Sequence, residues 1–130
     1  MPIILCLDPG TAHTGIAVSY EGELANPLDT IYEKDLDKLV VGLLPFIVRF
    51  NPDKVILGTP EHGPLKSFAQ DLGGRLKKVF SGEIIYFEED LSSRKARHQM
   101  KEVGKTLIKR KQLEHQTAAA VILQEYLDSL

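Results

Sequence analysis

At 130 residues, with 43% apolar and 26% charged side chains and a formal net charge of −2, the chain has the make-up of one globular domain, 1–130, with a real core. That apolar share excludes disorder, the lack of any apolar run near ~20 residues excludes a membrane span, and the single cysteine excludes an internal disulfide. "MPIILCLD" lacks a basic flank and meets an acid too early for a signal peptide, so the expected location is the cytoplasm.

"IILCLD" (3 to 8) is apolar without alternation, which predicts a buried central strand containing Cys6. A short turn leads to "TGIAVSY" (14 to 20), and a second turn at Glu21-Gly22-Glu23 leads to "LANPLDTIYE" (24 to 33). Three short strands with tight turns read as an antiparallel meander. Pro27 puts the third strand at an edge, where a missing N–H is tolerated.

The period then changes. "DLDKLVVGLLPFIVRF" (35 to 50) carries Leu36, Leu39, Val40, Leu43 and Leu44 at helical spacing, with Asp35 as cap. "DKVILG" (53 to 58) is a short buried strand. "PLKSFAQDLGGRLKKVF" (64 to 80) is a helix with Leu65, Phe68, Ala69, Leu72 and Leu76 inward, weakened at Gly73-Gly74. "EIIYFE" (83 to 88) is a fifth strand. Ser92 or Ser93 caps a basic helix, and a last helix runs from about Leu113 to Leu127. The order β-β-β-α-β-α-β-α-α implies a mixed five-stranded α/β sheet, a meander followed by βαβ crossovers, with helices on both faces.

In open α/β sheets, sites form beyond the carboxyl ends of strands. That rule selects Asp8, the segment Thr59-Pro60-Glu61-His62, and Glu88-Glu89-Asp90. Strand alternation sets Glu88 and Asp90 on one face and Glu89 on the other. Charge adds a second signal. Eight of the sixteen Lys and Arg residues fall between 94 and 111: Arg94, Lys95, Arg97, Lys101, Lys105, Lys109, Arg110 and Lys111, opposed only by Glu102. A polyanion partner explains such a segment, and so does a solvated helix face.

"LDPGTAHTGIAV", "ANPLDTI", "VILGTP", "FEEDLSS" and "AAAVILQEYL" follow one another in the order and spacing of the YqgF (RuvX) family, which the chain resembles from Ile3 to Leu127. Members are RNase H-like nucleases related to the RuvC Holliday-junction resolvases and assigned to pre-16S rRNA processing. The resemblance implies that Asp8, Gly10 and Thr11 match the family's D-x-G-T motif and that Glu89 matches its second acid. The third acid lies in the last helix, three residues before a pair of small residues, where this chain has His115.

Hydrolysis of a phosphodiester needs an activated water and charge relief on the leaving oxygen, which two Mg²⁺ or Mn²⁺ ions about 4 Å apart supply. Hard cations call for oxygen ligands. The expected metal and catalytic set is Asp8, Glu89 and His115, with Glu61 as a further metal ligand and Glu114 as the fallback for His115. His115 shares a helical stripe with Ala119, Ile122 and Tyr126, whereas Glu114 points about 100° away.

Three positions depart from the family pattern: Ala12-His13 replaces basic residues, Asp90 replaces an Arg, and His115 replaces an Asp. An imidazole prefers softer metals than Mg²⁺, so this change implies a Mn²⁺ preference, a proton-transfer role, lost activity, or an ordinary core histidine. His13 is close enough to Asp8 in sequence to touch substrate.

The resulting expectation is a metal-dependent nuclease on rRNA precursor, with branched-DNA resolution or a catalytically silent nucleic-acid-binding module as alternatives, as monomer or homodimer away from membranes. D-x-G-T also resembles the phosphate-binding turn of actin-like ATPases and sugar kinases. Those need two such domains, and no Walker-type loop is present.

Overall fold

A computed structural model describes residues 2–60, 63–88 and 107–130, the side chains of 107–113 excepted. The elements run β1 (Ile4–Asp8), β2 (Thr14–Ser19), β3 (Asn26–Ile31), α1 (Leu36–Phe50), β4 (Lys54–Thr59), α2 (Pro64–Leu76), β5 (Glu83–Glu88) and α3 (Leu107–Asp128). One sheet of five strands has the order β3-β2-β1-β4-β5. The β1–β2 and β2–β3 pairs are antiparallel, and the β1–β4 and β4–β5 pairs are parallel, as the meander-then-crossover pattern requires. The expected basic helix capped near Ser92 lies outside the described residues, and α3 begins about two turns earlier than its apolar stripe predicts.

Alternation along each strand divides the core into two layers. Leu5, Leu7, Ile16, Val18, Val55 and Leu57 face α1 and α2, where Leu39, Leu43, Leu72 and Leu76 close the layer. Ile4, Cys6, Ala17 and Ile56 face α3, whose Ala119, Ile122, Leu123 and Tyr126 cover them. Asp35 caps α1 by accepting a hydrogen bond from the Lys38 N–H at 3.0 Å. Leu65 departs from expectation. It shares the inward stripe of α2 but sits in the first turn, one turn short of the cover that Ala69 and Leu72 receive, and is 38% exposed.

β3 is an edge strand, as Pro27 foretold. A register shift between Ile16 and Ala17 leaves Leu28 as an extra residue on β3, and Pro27 removes a donor next to it. A bulge and a proline together blunt an edge that would otherwise template pairing with another chain. No helix of the described residues is long and apolar enough to cross a membrane.

At Gly15 the backbone of α3 lies directly against the sheet. A Cβ at Gly15 would overlap the carbonyl oxygen of His115 and lie 2.9 Å from the backbone nitrogen of Gln116. Backbone cannot swing aside as a side-chain tip can, so α3 must retreat from any larger residue. Gly15→Ala is expected to lower stability by about 1–3 kcal/mol, read as a reduced midpoint in urea unfolding. Asp35→Ala, which removes only a cap, should cost about 1 kcal/mol and leave the α3 layer intact.

Candidate active site

Asp8 ends β1 at the edge of the sheet where the parallel strands β4 and β5 also end. By alternation its carboxylate points to the α3 face, in line with Ile4 and Cys6. Two glycines flank it: Gly15 lies directly opposite on β2, and Gly58 lies one step beyond the Leu7–Leu57 pair on β4. Glycine thus occupies both positions beside the half-buried acid in its row. Its charge reaches into the core. Burial pushes the Cys6 thiol well above its usual range, and the negative charge of Asp8 raises it further. Cys6 is held as a neutral core thiol, unsuited to nucleophilic or ligand chemistry.

α3 supplies the other half of the site. Because its backbone lies against Gly15, His115 sits next to the Asp8–Gly15 pair. Thr30, opposite Gly15 on β3, donates from its hydroxyl to the Gln116 side-chain oxygen at 3.4 Å and ties α3 to the sheet edge. The imidazole of His115 stacks on that of His13, with ring centroids 3.7 Å apart and planes at 25°.

His13 reaches this position through a tight turn. A Cβ on Gly10 would come within 2.5 Å of the His13 carbonyl oxygen, so only glycine lets the loop after Asp8 fold back this far. Thr14 pairs with Ile31, and the next ladder step sets His13 beside Tyr32. Their rings meet edge to face at 5.9 Å and 85°. Nδ1 of His13 is buried and has no hydrogen-bond partner. Three rings thus run in a row from α3 across β2 to the edge strand.

The acids after β5 divide by face. Phe87 meets Tyr126 of α3 edge to face at 5.7 Å, while the Tyr86 hydroxyl reaches the Gln70 carbonyl of α2 at 3.5 Å. Glu88 therefore points to the α2 side, away from Asp8, as expected from alternation. Glu89, Asp90, Glu61 and His62 lie outside the described residues, as do Arg94, Lys95, Arg97, Lys101 and Lys105. Lys109, Arg110 and Lys111 fall in the first turns of α3, with their side chains outside the described set. Glu114 is half-buried on α3 next to His115. Among the described residues, no group of three or more His, Cys, Asp or Glu is arranged to hold a metal ion. The His13–His115 stack and the place of Tyr32 beside it went unread in the sequence: counting outward from the β2–β3 turn sets His13 opposite Ile31, and the bulge at Leu28 is what brings Tyr32 beside it.

Comparison with known proteins bears on the family and the fold. The model of the RuvX family, described as Holliday junction resolvase, matches residues 2–129. A protein of Lactococcus lactis subsp. cremoris (strain SK11), named "Putative pre-16S rRNA nuclease", is 35% identical over 97% of this chain and 94% of its own length. One of the same name from Bacillus cytotoxicus is 33% identical, covering 97% of this chain and 98% of its own. Among solved structures, T. thermophilus RuvC in complex with Holliday junction substrate superposes with a TM-score of 0.60 at 17% identity, over 99% of this chain and 95% of that one. The fowlpox virus Holliday junction resolvase gives 0.61 at 14% identity, over 98% and 99%. At such identities the structures speak for a shared fold, a five-stranded mixed sheet of RuvC type. With nearly its whole length matched by the family model and by relatives of the same size, the chain belongs to the RuvX family.

Proposed function

We infer that this protein is a nuclease that hydrolyses phosphodiester bonds in an rRNA precursor, as the names of its full-length relatives suggest. The observation that carries the reading is Asp8, held at the end of the central strand between two glycines, on the face where α3 delivers His115.

The donor chemistry fits a divalent ion. Asp8 offers hard carboxylate oxygens, His115 offers an imidazole nitrogen, and the buried, unpartnered Nδ1 of His13 shows that this corner has hydrogen-bonding or ligating capacity in reserve. Imidazole lone pairs lie in the ring plane. Two rings stacked at 3.7 Å and 25° cannot both aim at one ion. In this reading His115, at the place of the family's third acid, is the ligand, and His13 is the surface on which its ring rests. Glu89 completes the set, with Glu61 as a further acid from the loop after β4. Such an ion, when bound, neutralises charge on the phosphate and activates water for attack.

Asp8 contributes position. Strand β1 is hydrogen-bonded on both sides, so its carboxylate keeps its place as substrate enters and leaves. His115 contributes selectivity, since a nitrogen donor in a carboxylate site moves preference from Mg²⁺ toward Mn²⁺. The basic segment from Arg94 to Lys111 neutralises phosphates of the substrate.

Three outcomes are expected. Asp8→Asn should abolish cleavage of a precursor-rRNA fragment while circular dichroism and the urea midpoint stay near wild type; full-rate cleavage by a folded variant would remove the mechanism. Calorimetric titration of His115→Asp should show Mg²⁺ binding strengthened relative to Mn²⁺, and His115→Ala should weaken binding of both. A core histidine would instead lower stability in both variants and leave metal preference unchanged. Replacing Lys105, Lys109 and Lys111 with Ala should reduce the salt slope of RNA binding by about 0.7 to 0.9 for each phosphate no longer neutralised; an unchanged slope means that the segment is solvated surface. Running the wild type on precursor rRNA, single-stranded RNA and a four-way junction separates the substrate classes. Preference for the junction would favour resolution of branched DNA, and binding without cleavage would make the protein a silent module.

A further inference from the structure

Tyr32 has no part in the chemistry described so far. It directly follows β3 at the edge of the sheet where Asp8 ends β1, and it is 59% exposed. Large aromatic rings on protein surfaces are normally covered by neighbours on at least one face. His13 stands perpendicular to this ring, at 5.9 Å and 85°, and so is not stacked on it. His13 cannot shift easily, because its other side is stacked on His115 and its backbone is pressed against Gly10. An exposed ring is thus backed by a rigid row that ends beside the acid.

We propose that Tyr32, backed by the His13–His115 stack, is the platform on which the base of an unpaired nucleotide stacks next to the reacting phosphate. The proposal rests on the nuclease reading for the identity of that phosphate and adds the class of strand the site accepts. β3 and β1 are separated by two strand spacings, about 10 Å, so a base on Tyr32 belongs to a nucleotide neighbouring the phosphate at Asp8. Bases inside a duplex have both faces covered by their own neighbours. Only a single-stranded or everted base has a face to offer.

Charge favours the same occupant. Lys111 lies one helical turn before His115 on α3, with Arg110 and Lys109 just ahead of it. Positions 109–111 thus put three basic residues at the start of the helix that carries His115, and a polyanionic strand is drawn to that end of the site. Backbone attraction from one side and ring stacking on the other is the combination by which single strands are held with little regard to sequence.

The test measures affinity by fluorescence anisotropy, in low salt without divalent metal, for a single-stranded oligoribonucleotide and for the same sequence in a duplex. Full-length wild type, Tyr32→Ala and Tyr32→Phe are compared, with circular dichroism confirming the fold. Tyr32→Ala should bind the single strand roughly 5- to 150-fold more weakly, the range for loss of one stacked base. Tyr32→Phe should stay within about twofold of wild type, and neither variant should change affinity for the duplex. A 2-aminopurine placed along the strand should be quenched by wild type and by Tyr32→Phe but not by Tyr32→Ala. Single-strand binding unaffected in Tyr32→Ala, or weakened equally for the duplex, overturns the proposal. The two readings fail separately. Tyr32-dependent single-strand binding without cleavage of any substrate keeps the platform and rejects the nuclease, whereas cleavage with single-strand binding indifferent to Tyr32 keeps the nuclease and rejects the platform.

Discussion

The missing side chain at Gly15 governs how near α3 can come to the sheet, and that spacing determines everything at the carboxyl edge. Leucine, valine and phenylalanine fill the layer under α1 and α2, whereas the α3 layer mixes Ile4, Ile56, Ile122 and Leu123 with Cys6, Ala17 and Ala119, and beside Gly15 it has no side chain from the sheet to hold the helix off. A helix that rests on a glycine sits close, and its polar side chains then project over the strand ends instead of into solvent. His115 owes its position next to the Asp8–Gly15 pair to this close approach. The same approach lets Gln116 meet Thr30, so the helix is tied to the sheet by hydrogen bonding as well as by burial.

Much of the fold was legible because the signals are local. The unbroken apolar run of β1, the cap at Asp35, the proline at the edge strand and the stripe through Ala119, Ile122 and Tyr126 each depend on residues close in sequence, and each formed as expected. Leu65 shows the boundary of that reasoning, since periodicity tells which side of a helix faces inward but not where the sheet beneath it ends. Asp8 and His115 stood out through motif resemblance, and in the fold the backbone of His115 lies over Gly15, the cross-strand partner of Asp8. Ladder register is what sets His13 beside Tyr32, and the approach of α3 over Gly15 is what stacks His115 on His13. Neither leaves a local mark in the sequence. Face parity is a middle case: alternation predicted that Glu88 and Glu89 diverge, and the contacts of Tyr86 and Phe87 then identified the α2 face as that of Glu88. Glu89, Glu61 and most of the basic segment lie outside the described residues.

The two histidines that the family resemblance sets apart meet in the fold. His13 and His115 stand far apart in sequence and touch in the fold. An aspartate at 115 would present a small, freely rotating carboxylate, while the imidazole presents a flat face that needs a flat neighbour. His13 supplies it, and Gly10 makes room for His13. The stack limits the ring of His115 to a narrow set of orientations, a constraint that a carboxylate in its place would not experience.

The route of the chain through the sheet also bears on biosynthesis. Asp8 lies on the first strand to be made, whereas His115 and the apolar cover for Ile4, Cys6 and Ile56 lie on α3, made long afterwards. β1 to β5 with α1 and α2 can assemble one finished core layer while the other face of the sheet is still bare. Until α3 has emerged, that face of the sheet stays apolar and uncovered, so the exposed surface of a nascent chain is closed only by the last helix to be made.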